Sequence, residues 1–333
     1  MSDILLSVRN VAVELRTPGG SLRAVDGVDL TLGAGRTLGL VGESGSGKTM
    51  LSRAVLQLLP RSARLSGEVK FDGEDLARLP PRRLRRLRGR AIAVVFQDPM
   101  TSLNPVLTIG RQIVETLRAH LQMDGAAATA RALDLLAAVG IPEPDRRLRQ
   151  YPHQLSGGMR QRVAIAIALS CEPKLLIADE PTTALDVTVQ AQILDLLARE
   201  QRRRHMAMIL ITHDLGIVAG RTDEVAVMYA GRVVERAPTR LLFHNTRMPY
   251  TQAMLAAIPR IDAAPHARLP TIPGRPPDPT RRIVGCAFAP RCRYAVDRCR
   301  TERPTLGAPD AAGQQYACWR PLAAACSGEP VTA

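Results

Sequence analysis

The chain has 333 residues, which at about 150 residues per domain allows roughly two units. Hydrophobic residues make up 46% and charged residues 23%, a balance that excludes disorder over most of the length, and no apolar run approaches the roughly 18 residues of a membrane span. The net charge of +14, from 45 basic and 31 acidic residues, permits contact with nucleic acid, an anionic membrane or an acidic partner and decides among none of them.

Aromatics are only 3%, so the core is expected to be Leu, Val, Ile and Ala. The N-terminus, MSDILLSVRN, has no apolar h-region, and the expectation is a protein that stays inside the cell. Residues 5–15 and 25–32 read as strands. Residues 37–42 form a short apolar strand feeding a glycine loop, followed by a helix over 49–59 that Pro60 stops. Strands are expected at 67–71 and 91–96. Between them the Arg-rich run 80–90 reads as a solvated helix face with Leu84 and Leu87 turned inward. The period is helical from 108 to 139. Residues 174–179 and 206–212 are uninterrupted apolar strands on either side of an amphipathic helix, 187–203. Continuous apolar strands alternating with helices indicate an α/β fold with a parallel sheet covered on both faces. Beyond Pro259, prolines at 265, 270, 273, 276, 277, 279 and 290 mark a linker-like change in composition. The division expected is 1–258 and a separate extension, 259–333.

Gly42-Glu43-Ser44-Gly45-Ser46-Gly47-Lys48-Thr49 matches the G-x-x-x-x-G-K-[ST] pattern, with a strand before it and a helix after it. The glycines let backbone N–H groups converge on phosphate oxygens at a positive helix end. Lys48 would reach the β- and γ-phosphates, and the Thr49 hydroxyl would bind Mg²⁺. Asp179 ends a buried strand, where a carboxylate is costly unless it faces a cation, so it is expected at the same Mg²⁺. Glu180 is placed to polarise an attacking water.

With these residues, Leu155-Ser156-Gly157-Gly158-Met159-Arg160-Gln161-Arg162 resembles the signature of ATP-binding-cassette (ABC) ATPases. Gln97 resembles the Q-loop glutamine, Ala184-Leu185-Asp186 the D-loop and His213 the switch histidine. The resemblance covers residues 4 to about 258. It implies a P-loop fold with a mostly parallel sheet, an antiparallel β subdomain and a helical subdomain over about 97–160. It also implies ATP and Mg²⁺ as ligands, Gln97 near the metal, and Glu180, His213 and Gln97 around the hydrolysed bond. Ser156, Gly157, Gly158 and Asp186 would act on ATP bound to a second ATPase subunit, identical or paralogous. The family's adenine-stacking aromatic is replaced by Leu15, so plain apolar contact is expected there.

The stretch from Phe96 to Pro105, with Pro249-Tyr250-Thr251, Ile272-Pro273-Gly274, Pro276-Pro277, Gly285-Cys286, Phe288, Pro290, Arg291 and Cys292, resembles ATPase subunits of dipeptide and oligopeptide importers. That branch implies a peripheral position on the cytoplasmic face of the membrane. Its partners would be two permease subunits and an extracytoplasmic binding protein, with no nucleic acid. The alternative is a soluble cassette acting on nucleic acid or ribosomes. Ser156 comes only 114 positions after Gly42, without heptads, which leaves no room for the coiled-coil arms of repair cassettes.

Of six cysteines, Cys171 reads as a small core residue. The order Cys286-x5-Cys292-x6-Cys299-x18-Cys318 supplies four thiolates, a complement for a [4Fe–4S] cluster and equally for zinc. The absence of C-x2-C counts against zinc, and some importers of this branch carry such a cluster. Arg291, Arg293, Arg298 and Arg300 could offset the thiolate charge, and Cys326 is expected to be free. The cluster is expected to be remote from ATP chemistry.

Overall fold

In the computed structural model, which describes residues 4–17, 20–98, 102–183, 185–259, 270–281 and 283–323, strands β1 (Ile4–Thr17) and β2 (Gly20–Gly33) pair antiparallel. With β4 (Ala63–Phe71) and β5 (Glu74–Asp75) they form a sheet in the order β2-β1-β4-β5. The second sheet contains β3 (Thr37–Val41), β6 (Ile92–Val95), β7 (Leu175–Asp179), β8 (Ala207–Thr212) and β9 (Glu224–Tyr229). These five run parallel in the order β9-β3-β8-β7-β6. Beside β9, β10 (Arg232–Pro238) and β11 (Gln315–Tyr316) add antiparallel.

Side-chain alternation along the buried strands feeds two cores. Leu175 and Ile177 of β7, with Ile209 and Ile211 of β8, face the antiparallel sheet and the helix Lys48–Val55. Leu176, Ala178, Met208 and Leu210 face the helices Ile109–Leu121, Gly125–Ala138 and Gly157–Leu169. The α/β class and the three parts of the cassette are thus as the sequence indicated. Cys171 is buried as expected, and Leu84 and Leu87 pack inward from the Arg-rich helix Pro81–Leu87.

Local backbone chemistry moves several boundaries. The helix after the glycine loop ends at Val55, short of the expected 59, and Gln57 turns left-handed at φ 53°. The region 108–139 is two helices: Gln122 turns left-handed at φ 55°, and Asp124 Oδ1 accepts the Ala127 N–H at 2.8 Å to start the second.

The extension is not detached. β11 pairs with β10, Phe288 is 3% exposed within the helical-side core, and the fully buried Glu235 of β10 accepts from Gln314 Nε2 at 3.0 Å. The proline-rich extension packs as a strap against the sheet. Pro265 lies outside the described residues.

Losing the Asp124 cap should cost about 1 kcal/mol. Urea denaturation of Asp124→Ala is expected to give a lower midpoint with an unchanged slope.

Candidate active site

β3 ends at Val41, and the chain turns through Gly42–Gly47 into the helix that starts at Lys48. A Cβ on Gly42 would lie 2.2 Å from the Met228 carbonyl oxygen, and one on Gly47, whose φ is 102°, 2.3 Å from that of Ala24. No side chain caps the helix, so its first N–H groups are left for an anionic ligand.

Lys48 is 4% exposed. Its Nζ donates to the carbonyls of Gly42 at 2.7 Å and Glu43 at 3.0 Å. Burial pushes the ammonium below the usual lysine range, against the pull of Glu180, Asp179 and Glu43. Thr49 Oγ1 donates to Asp179 Oδ1 at 3.3 Å, and Ser52 Oγ to Oδ2 at 3.5 Å. Burial pushes the Asp179 carboxyl up; Thr49 opposes this, and Glu180 adds to it. A cation relieves such a carboxylate. One hydroxyl and one carboxylate, completed by phosphate oxygens, are the hard donors that Mg²⁺ takes.

Glu180 lies one residue past β7 in the left-handed region, φ 47°, a strained conformation of the kind stored at functional sites. Its N–H donates to the Ile211 carbonyl at 3.0 Å. Its Oε2 accepts from Gln97 Nε2 at 3.0 Å and Thr183 Oγ1 at 3.1 Å, and His213 Nδ1 stands 3.4 Å away. Three segments thus converge on one carboxylate oxygen. Thr183 was not singled out from the sequence; its place three residues after Glu180 was the only signal.

Lys48, Thr49, Gln97, Glu180, Thr183 and His213 line one open cleft of about 1870 Å³ with Ser44, Gly45, Ser46 and Gly47. Leu15 and Leu22 form an apolar wall of that cleft, and Ile283 and Val284 of the extension also line it. Ser156, Gly157, Gly158 and Asp186 do not line this cleft. They sit together elsewhere. Ser156 caps Gly157–Leu169 by accepting the Met159 N–H at 3.3 Å, and Asp186 caps Val187–Arg204 by accepting the Val189 N–H at 2.9 Å. A Cβ on Gly158 would meet Val189 Cγ1 at 2.7 Å, so the two helix starts abut. Both caps are exposed, and neighbouring Val187 is 84% exposed. Pro99, Met100, Thr101 and Ala184 of the resembling motifs lie outside the described residues.

The extension reaches the glycine loop: Arg291 forms a two-pronged ion pair with Glu43, at 2.6 and 2.9 Å. Of the arginines expected to offset thiolate charge, Arg293 does pull Cys292 down against burial, and three have other partners as well. Arg293 bonds Gln252 and lies over Tyr294, while Arg298 pairs with Glu302 and stacks on Trp319. Cys286, Cys292, Cys299 and Cys318 are gathered closely enough for their charges to interact. None of the four is in a disulfide, and burial pushes Cys286, Cys292 and Cys318 up. Among the described residues no group of three or more His, Cys, Asp or Glu is set to hold a metal ion. The expected iron–sulfur cluster, and the zinc alternative, find no support in this arrangement. Cys326 lies outside the described residues.

A glycine loop between a parallel strand and a helix, an adjacent Asp-Glu strand end and a separate Ser-Gly-Gly helix start define a cassette-type P-loop ATPase. Residues 25–183 match the ABC transporter family, and residues 234–299 match the oligopeptide/dipeptide transporter C-terminal region. The chain is 53% identical over 303 residues, 91% of each chain, to a putative peptide import ATP-binding protein of Brucella abortus. It is 49% identical over 319 residues to the dipeptide transport ATP-binding protein DppD of Escherichia coli, covering 96% of this chain and 97% of that one. A dimeric ATP-binding cassette with bound ADP and Pi superposes with a TM-score of 0.63 at 30% identity, covering 71% of this chain and 99% of that one. The protein belongs to the ABC transporter ATPases, with the C-terminal region of the oligopeptide/dipeptide branch, and it hydrolyses ATP.

In metal-free folded protein, Cys318, pushed up to about 11 chiefly by burial, should be alkylated slowly at pH 8 and faster with each unit up to that value, since only the thiolate attacks. Mass spectrometry after iodoacetamide treatment follows this. Rapid labelling at pH 8 would overturn the reading of a thiol that burial keeps protonated.

Proposed function

We propose that this chain is the ATP-hydrolysing subunit of a bacterial peptide importer, working at the cytoplasmic face of two permease subunits that receive peptide from an extracytoplasmic binding protein. Two observations support the peptide branch: the match over 234–299, and relatives whose names state peptide import. Among the described residues no helix is long and apolar enough to cross a membrane, in keeping with a peripheral subunit. No observation favours a nucleic-acid or ribosomal role. We assign residues 1–258 to the cassette and 259–333 to its extension.

The observation that carries the catalytic reading is the convergence of Gln97, Thr183 and His213 on Glu180 within the cleft that Lys48 lines. The glycine-loop N–H groups and Lys48 bind the β- and γ-phosphates, Lys48 exchanging its carbonyl partners for phosphate oxygens. Thr49 and Asp179 would hold Mg²⁺, with Gln97 near them, and the ion would supply neutralisation of phosphate charge. Glu180 accepts a proton from the attacking water; His213 and Gln97 fix the orientation of its carboxylate. Leu15 gives the base an apolar contact without stacking.

Ser156, Gly157 and Gly158, displayed on a separate exposed face with Asp186, complete the site of a second ATPase subunit. The positive end of the helix they open suits a γ-phosphate there. Binding of ATP draws two such subunits together, and loss of the γ-phosphate releases them.

Lys48→Ala is expected to abolish ATP binding, while Glu180→Gln keeps ATP bound and stalls turnover, because the first acts on ground-state phosphate and the second on the water. Equilibrium binding and phosphate release check both; a Glu180→Gln protein with the parental rate removes the proposed base. Ser156→Arg should leave ATP binding to its own chain within about twofold while lowering turnover at least about 100-fold, the scale of losing a transition-state donor. An equal loss of affinity at its own glycine loop contradicts the shared site.

A further inference from the structure

Glu43 is the one charged residue inside the glycine loop, and each of its polar groups is held from a different direction. Its N–H donates to the Tyr250 hydroxyl at 2.9 Å, its carbonyl accepts from Lys48 Nζ at 3.0 Å, and its carboxylate takes both prongs of Arg291. Arg291 comes from the extension, 248 residues away. Its side chain is 4% exposed. The guanidinium also donates to the Pro273 carbonyl at 2.7 Å and to the Tyr229 hydroxyl at 3.2 Å.

Behind Arg291 stands a cluster of three packed rings. Phe288 meets Tyr229 and Tyr250 at centroid separations of 5.4 and 5.3 Å, and those two rings meet each other at 4.5 Å. The Arg291 N–H donates to the Phe288 carbonyl at 2.9 Å. A planar fork held in this way fixes its carboxylate partner in orientation as well as distance.

From this geometry we infer that Arg291 is a positioning residue of the ATP site: through Glu43 it fixes the glycine loop that Lys48 closes, and so raises the affinity for ATP. Arg291 lines no part of the cleft and contacts none of Gln97, Glu180 or His213, so its effect belongs to binding and not to the hydrolytic step. Removing the fork leaves a half-buried carboxylate without its partner beside the phosphate site, where it repels the nucleotide and lets the loop shift.

The inference rests on the glycine loop being the ATP site, so Lys48→Ala serves as the reference. Binding of a fluorescent ATP analogue and steady-state ATPase activity would be measured on full-length Arg291→Met, Arg291→Lys, Glu43→Gln and the Arg291→Met/Glu43→Gln double variant. Arg291→Met is expected to raise Kd and KM by about tenfold, equivalent to ~1.4 kcal/mol, with kcat inside about twofold. Arg291→Lys should recover part of the loss. The double variant should bind within about twofold of Glu43→Gln alone, since additivity fails for residues in contact. Parental affinity in Arg291→Met, fully additive losses, or a fall in kcat at constant KM would each overturn the role. Should Arg291→Met fail to fold, Glu43→Gln decides: a several-fold rise in KM at constant kcat supports the inference, and an unchanged KM refutes it. If Lys48→Ala itself binds ATP normally, the underlying site assignment fails instead.

Discussion

The loop Gly42–Gly47 approaches the backbone of Ala24 and Met228 so closely that no Cβ fits at Gly42 or Gly47, and the ATP site is arranged around that contact. The two neighbours come from different sheets: Ala24 from β2 of the antiparallel sheet and Met228 from β9 of the parallel one. A cradle of N–H donors fixed at the junction of two sheets needs little rearrangement to receive phosphate, which is where electrostatic preorganisation has its effect. The extension adds a third restraint through Tyr250 and Arg291.

Charge burial is the second organising constraint. Lys48 and Asp179 are each 4% exposed, and burial works against the charged form of both. In the proposed site each would be relieved by its ligand, phosphate for one and a cation for the other, so that ligand binding and electrostatic relief would be the same event. Elsewhere the protein settles buried carboxylates internally. Glu235 accepts from the Arg247 N–H at 2.7 Å as well as from Gln314, and this tie holds the extension against β10. Glu200, 2% exposed, sits between Arg203 and Arg204.

Much of this was legible in the sequence because the signals are local. The glycine loop, the apolar strand ending in Asp179-Glu180 and the Ser156 helix start each occupy fewer than ten residues, and the alternation of strands and helices fixes the sheet. Spacing could not show what depends on distant pairing. β9 and β10 carry no such local signal, and neither does the junction of Glu43 with Arg291, because nothing in either neighbourhood points to the other. The tail shows the same limit. Its prolines describe a chain without regular structure, which is true locally, while Phe288 and Gln314 bury it against a sheet formed much earlier in the sequence. Four cysteines at suggestive spacings describe a possible ligand set, but spacing does not show their arrangement in space, and among the described residues no such group is set to hold a metal ion.

The claim that couples this ATPase to peptide uptake is tested most directly by ATP hydrolysis in proteoliposomes holding the chain, its partner ATPase and the two permease subunits. Addition of the peptide-loaded binding protein is predicted to raise the hydrolysis rate well above that with the unloaded protein, with peptide accumulating inside. A rate indifferent to the permease, the binding protein and the peptide would contradict the assignment.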